Sequence, residues 1–155
     1  MAALKRIRNL SDQRGAQLIE AALVLPLLLL VVLGILDFGM LFWQFESVTN
    51  AAREGARVAI LSGYSTTDVE NRVQQYLDDA GLTDTAAISV VAPAGVDVGG
   101  GTCITMTGAT VSYPHTFFLV GGVVGYFGGT SLTSTSLNAT SMMRYEGGSL
   151  PCAAP

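Results

Sequence analysis

The sequence predicts an α+β protein built on one long helix. An N-terminal transmembrane helix continues into an amphipathic one, and a small domain follows with a second helix and an antiparallel β-sheet. Three observations carry this. Residues 21–36 contain no charged or strongly polar side chain, and the apolar character runs past Asp37 through Phe38, Leu41, Phe42 and Trp43, reaching the ~20 residues a helix needs to cross a bilayer. A helical stripe of Phe45, Val48, Ala52, Ala56 and Ile60 follows directly, with polar residues mostly off it. Beyond residue 83 the chain turns to short runs rich in Val, Ile and Thr, separated by glycine, which is the texture of strands.

Taken in order, residues 1–15 read as a basic leader, 16–43 as the membrane span, 44–62 as its amphipathic extension and 63–155 as a small exported domain. The leader has no apolar periodicity and is expected to be flexible. It holds four of the eight basic residues, Lys5, Arg6, Arg8 and Arg14, against one acid, Asp12. By the positive-inside rule the N-terminus stays in the cytoplasm and the domain lies beyond the membrane, in the periplasm or outside the cell. A secretory signal peptide fits less well, because the apolar run exceeds the usual ~7 to 15 residues and no convincing small-x-small cleavage site follows it promptly. Two ionisable groups mark the edges of the span. Glu20 stands at its start, and Asp37 lies near its outer end, where the carboxylate reaches either the interface or a neighbouring subunit. Pro26 removes the bond its own N–H would make to the Ala22 carbonyl, so a local kink or melt is expected.

Gly63 is the expected terminator of the long helix. Small residues at Ala51, Ala52, Gly55, Ala56 and Ala59 allow close approach of another helix or sheet, within the chain or from a partner. Glu54 and Arg57 are spaced for a solvated ion pair. Thr67 and Glu70 have the form of a capping box, and Val69, Val73, Tyr76, Leu77 and Ala80 define the stripe of a second helix that Gly81 and Leu82 end. Three strand runs follow, around Ile88 and Val90, Ile104 and Met106, and Val111 and Tyr113, with Gly95 and glycines 99–101 as the loop between the first two. Residues 117–127, F-F-L-V-G-G-V-V-G-Y-F, are too short to span a membrane. Their glycines suggest an irregular path, either buried or resting on lipid or a partner. A last run covers 132–144, where apolar parity switches between Leu132 and Leu137 through a bulge or a late strand start.

The formal net charge is −4 over 155 residues, and from Ala16 onward four basic face eleven acidic side chains. That balance argues against nucleic acid as a partner. Cys103 and Cys152 are the only cysteines and both fall in the exported part. A disulfide is the simplest reading, with two free thiols as the alternative. The lone histidine, His115, reads as a surface or turn residue, and the chain offers no metal-ligand set, no activated nucleophile and no phosphate-binding glycine fingerprint. No cofactor, small-molecule substrate or enzymatic activity is expected.

The stretch R-G-A-Q-L-I-E resembles the processing site of type IV prepilins, in which a membrane-embedded aspartic peptidase cuts after a glycine and a glutamate stands fifth in the product. Here those positions are Gly15, Ala16 and Glu20. Joined to L-P-L-L-L-L, L-D-F-G and N-A-A-R-E-G-A-R, the segment is similar to the TadE-like family, the minor pseudopilins of tight-adherence (Flp-type, type IVb) pilus and secretion systems. The end of the last run, M-M-R-Y-E with Arg144 and Glu146, also resembles the closing strand of such domains. Ala21 stands where the major pilins of these systems carry an aromatic, and those pilins are much shorter. The resemblance implies cleavage by prepilin peptidase, a place in the inner membrane, and contacts with other pilins, pseudopilins and the pilus assembly platform, for which Glu20 and Asp37 are the candidates. The alternative is an unprocessed, membrane-anchored periplasmic binding or adhesion module, and cleavage after Gly15 discriminates the two.

Overall fold

One helix, α1 (Ala2–Ala59), runs through both halves of the chain. The structure, a computed structural model, describes residues 2–100, 102–126, 128, 134–145, 147–148 and 150–152, with side chains from residue 15 onward except at 120, 123, 124 and 126. The helix begins at Ala2, so the leader continues it where an irregular segment was expected. Absence of an apolar stripe does not prevent this. Residues such as Ala2, Ala3, Leu4, Lys5 and Arg6 have high helix propensity, and extending a formed helix needs no new nucleus.

At its other end α1 tightens before stopping. The Leu61 amide bonds to the Val58 carbonyl at 3.0 Å, and Gly63 takes a φ of +92°, a geometry glycine adopts without steric cost. Helix α2 (Thr66–Asp79) starts with a capping box at Ser65 and Asp68, two residues earlier than the Thr67 and Glu70 pair suggested. In S-T-T-D-V-E both pairs have the right spacing, and the earlier one forms the cap, with Val69, Val73 and Leu77 on the inward face. Accepting from the Ser65 hydroxyl and amide lowers the Asp68 carboxyl below its usual value. The helix ends as its sequence indicates. Gly81 has a φ of +77°, its amide bonds to the Asp78 carbonyl, and the amide of buried Leu82 bonds to the Leu77 carbonyl at 2.8 Å, the pair of bonds that closes a Schellman turn.

The sheet is antiparallel in the order β1-β2-β3, with β1 at Ala87–Asp97, β2 at Cys103–Thr116 and β3 at Ser134–Arg144. Two of the three expected strand runs are one strand. Gly108 separates them in sequence but sits mid-strand in β2, where a Cβ would lie against the Ser141 backbone. Gly95 likewise belongs to β1 and not to the loop, which is reduced to the turn around Gly99 and Gly100. The β1 register shifts between Val91 and Ala94, a bulge that accommodates Pro93, which has no amide to give the ladder. Pairing of β2 with β3 is unbroken from Met106 with Arg144 to Thr116 with Ser134. No bulge interrupts the described strand; Leu132, on which the parity switch depends, and Glu146 lie outside the described residues. Residues 117–126, expected to be irregular, include an eight-residue helix, α3 (Leu119–Tyr126).

The core forms where α1 packs against α2 and across β2 and β3, with α2 also meeting β1. Val48, Ala51, Ala52 and Ala56 of α1 are buried with Val73 and Leu77 of α2 and with Ala109, Val111 and Tyr113 of β2. Contact is close because the α1 residues are small. A Cβ at Gly55 would stand 2.5 Å from Val73 Cγ2 and 2.9 Å from Ala109 Cβ. These small residues thus serve packing within the chain. Glu54 pairs with Arg72 of α2, not with Arg57, at 2.9 Å; this partly exposed bridge is worth at most about 1 kcal/mol.

Candidate functional site

The functional candidate is α1 itself, which has a bare part and a clothed part. From Leu18 to Leu36 its large apolar side chains, half-buried Leu33 apart, are exposed, with Leu18 at 72% and Leu23 at 74%, and the exposure continues to Phe42, Trp43 and Phe45. Within residues 15–59 the most apolar 18-residue window has a mean hydropathy of 2.8 and is not buried at all against the rest of the chain. A core helix of a soluble domain would be covered. This exposed apolar helix anchors the protein in a membrane.

At the N-terminal end of the bare part, Gly15, Ala16 and Glu20 lie in unbroken helix. Gly15 has open space around the position of a Cβ. The Glu20 side chain is exposed and makes no hydrogen bond or ion pair with any described residue. Ala16 and Glu20 are four residues apart on one face, so Glu20 lies about 6 Å further along the axis than the Ala16 amide.

The other end, around Asp37, is built differently. Asp37 is only 2% exposed, and its two carboxylate oxygens accept the Leu119 amide at 3.0 and 3.2 Å, at the N-terminus of α3. The free amides and the dipole of a helix N-terminus favour a carboxylate there. Next to it, Phe38 meets the ring of Phe117 edge-on at 6.1 Å, and the His115 ring meets Phe117 edge-on at 4.7 Å. His115 is buried, against the surface position expected for it. Its Nδ1 donates to Gln44 Oε1 at 2.5 Å. Burial lowers its pKa from the usual value, while the nearby Asp37 charge opposes that shift. His115 points inward because it shares parity with Val111 and Tyr113 along β2. On α1, Asp37 and Gln44 extend the buried stripe of Val48, Ala51 and Ala52 toward the membrane, and that spacing was the signal for their inward position.

Cys103 and Cys152 are joined in a disulfide, with Cα atoms 5.5 Å apart, at the far end of the sheet from Asp37. A crevice of about 240 Å³ beside the start of α2 is lined by Tyr64, Val69, Val90, Pro93, Thr107 and Tyr145. It gathers no acid, base and nucleophile, and the Thr107 hydroxyl is already donated to the Val91 carbonyl at 2.6 Å. Among the described residues no group of three His, Cys, Asp or Glu could hold a metal ion.

Residues 15–57 match the family described as TadE-like protein. No curated protein and no solved structure matches the chain. The matched segment starts at Gly15, spans the bare helix and ends just past the buried stripe of Val48, Ala51, Ala52 and Ala56, and over these residues the chain is similar to TadE-like protein.

Proposed function

We propose that this protein is a minor pseudopilin of a tight-adherence (Flp-type, type IVb) pilus or secretion system. It is inserted in the inner membrane with its N-terminus in the cytoplasm and is cut by prepilin peptidase between Gly15 and Ala16. The observation that carries the reading is the family match that begins at Gly15 and continues through a helix with a bare apolar surface. The role is structural: the chain supplies a helix to an assembly of other pilins and pseudopilins on the membrane platform.

Two features of α1 support the details. A peptidase must draw the scissile bond out of the helical ladder, and glycine weakens a helix by about 1 kcal/mol relative to alanine, so Gly15 marks the easiest place to open it. After cleavage Ala16 carries an α-amino group near the hydrocarbon edge, where a bare charge is costly. Glu20 stands one turn above its own amine, whereas a neighbouring helix shifted along the axis would bring carboxylate and amine level. The pair would then specify axial register in the assembly.

N-terminal mass determination on protein from native membranes tests both points. The mature chain should begin at Ala16, and Glu20→Gln should be cleaved equally but recovered with less of the other pilins. An intact leader in cells that contain the peptidase would remove the pseudopilin reading and leave a membrane-anchored binding or adhesion module. Undiminished co-purification of the Gln variant would remove the register role alone.

A further inference from the structure

The short helix α3 is poorly explained as part of a domain standing in water. Residues 117–126 contain no charged side chain, and no Asp, Glu, Lys or Arg occurs between Asp97 and Arg144. Phe118 is 80% exposed, the most exposed of the large apolar side chains described. Phe117, its neighbour, is held by Phe38 and His115, so Phe118 projects from a fixed base.

The position of α3 along α1 indicates what this surface meets. Exposed apolar side chains on α1 continue past Asp37 to Phe42, Trp43 and Phe45, and tryptophan settles at the boundary between hydrocarbon and head groups. Asp37 precedes Trp43 by six residues, about 9 Å on the membrane side at 1.5 Å per residue. The first amide of α3 is bonded to Asp37. The start of α3 is thus fixed below the level of the aromatic boundary, at a depth where a helix surrounded by water has no place. The same contact hides the Asp37 carboxylate from lipid and gives it a hydrogen-bond donor, which a carboxylate at that depth requires.

We propose that α3 is a second membrane contact. It lies in the leaflet on the domain side with Phe118 against acyl chains, and with α1 it fixes the height and rotation of the domain on the bilayer. The occupant of the exposed apolar surface is lipid, continuous with the lipid around α1. This depends on membrane anchoring and not on processing or on a pilus.

The chain has a single tryptophan, Trp43, so Phe118→Trp in a Trp43→Phe background gives a one-site reporter. The full chain would be reconstituted in phosphatidylethanolamine–phosphatidylglycerol vesicles carrying lipids brominated on the acyl chains. Emission from position 118 should be blue-shifted and quenched by the bromolipid several-fold more than emission from Tyr64→Trp in the same background, a control position beyond the end of α1. Red-shifted emission open to aqueous acrylamide and indifferent to bromolipid would overturn the proposal. So would emission shielded from both quenchers with position 118 crosslinking to a second copy, which would assign the surface to a protein contact. On the unmodified chain, a phosphatidylcholine bearing a photoactivatable acyl chain should label peptides covering 117–126 as well as α1. Adducts confined to α1 would also reject lipid contact.

Discussion

Gly55 lies where α1 is pressed between α2 and β2, and its substitution sets two effects against each other. Helix propensity favours alanine by about 1 kcal/mol. Against this, a methyl group would stand 2.5 Å from a Val73 methyl and 2.9 Å from Ala109 Cβ. The β-branched Val73 has little rotamer freedom to yield, and overpacking of this kind costs about 1–3 kcal/mol. Gly55→Ala should therefore lower thermal stability, and combining it with Val73→Ala should cost less than the two changes summed. Gly34→Ala, on the bare part of α1 with open space around it, should be neutral or stabilising in the same melting assay. His115 offers a test by pH. Its folded pKa lies below its ordinary 6.5, so the unfolded chain takes up the proton first. The stability it carries is full above that value and is lost as pH falls through the lower folded value. His115→Gln should flatten this part of a melting temperature profile between pH 7 and 5. These contacts were hard to read from sequence because they are not local: His115 and Gln44 are 71 residues apart, Asp37 and Leu119 are 82. A polar residue at the edge of an apolar run looks the same whether it faces head groups or a distant amide.

Elements were legible in proportion to the length and regularity of their pattern. Helix α2 has an uninterrupted stripe and a glycine stop, and both could be read directly. Strand β2 was divided because Gly108 interrupts its apolar alternation, and that glycine answers to the backbone of β3, not to a turn. Helix α3 has eight residues, three of them glycine, and no periodicity; it depends on Asp37 for its N-terminal partner. The C-terminal tail is a further case of structure imposed from outside. Thr105 takes the Tyr145 amide on its carbonyl and the Leu150 amide on its hydroxyl, both at 2.8 Å. Cys152 then bridges to Gly95 at the outer edge of β1, where a Cβ would collide with the Pro151 carbonyl. The tail covers part of an edge that would otherwise offer unpaired backbone groups. The disulfide closes a separation of 49 residues, so its loss should cost up to about 4 kcal/mol on the chain-entropy account. The Cys103→Ser, Cys152→Ser double variant should lose the tail to protease first and show faster amide exchange at Gly95, with the α2 amides much less affected. Recovery of two alkylatable thiols from the unreduced native protein would rule out the bond.

At the scale of the whole molecule, anchor and domain share one helix, and the division between them lies within it. A third of the described buried apolar residues, Val48, Ala51, Ala52 and Ala56, belong to α1, which packs against both α2 and the sheet. A chain beginning at residue 63 keeps every strand and α2 but lacks the helix against which both pack, and much of the Leu77 and Val111 faces would be left to water. It should remain unfolded or aggregate. A chain beginning at residue 44 loses the bare apolar part yet keeps the whole inward stripe and Gln44, the partner of His115. It should be soluble and unfold cooperatively. The two chains differ by 19 residues that contain no strand and no cysteine, so a difference in folding would locate the contribution in α1. The longer chain still lacks Asp37 and Phe38, which hold the start of α3. Amides 119–126 should therefore exchange faster in it than in the full protein, while those of β2 and α2 stay protected. Cooperative folding of the chain that begins at residue 63 would show that α1 is only a tether, and full protection of α3 in the longer chain would show that Asp37 does not position it.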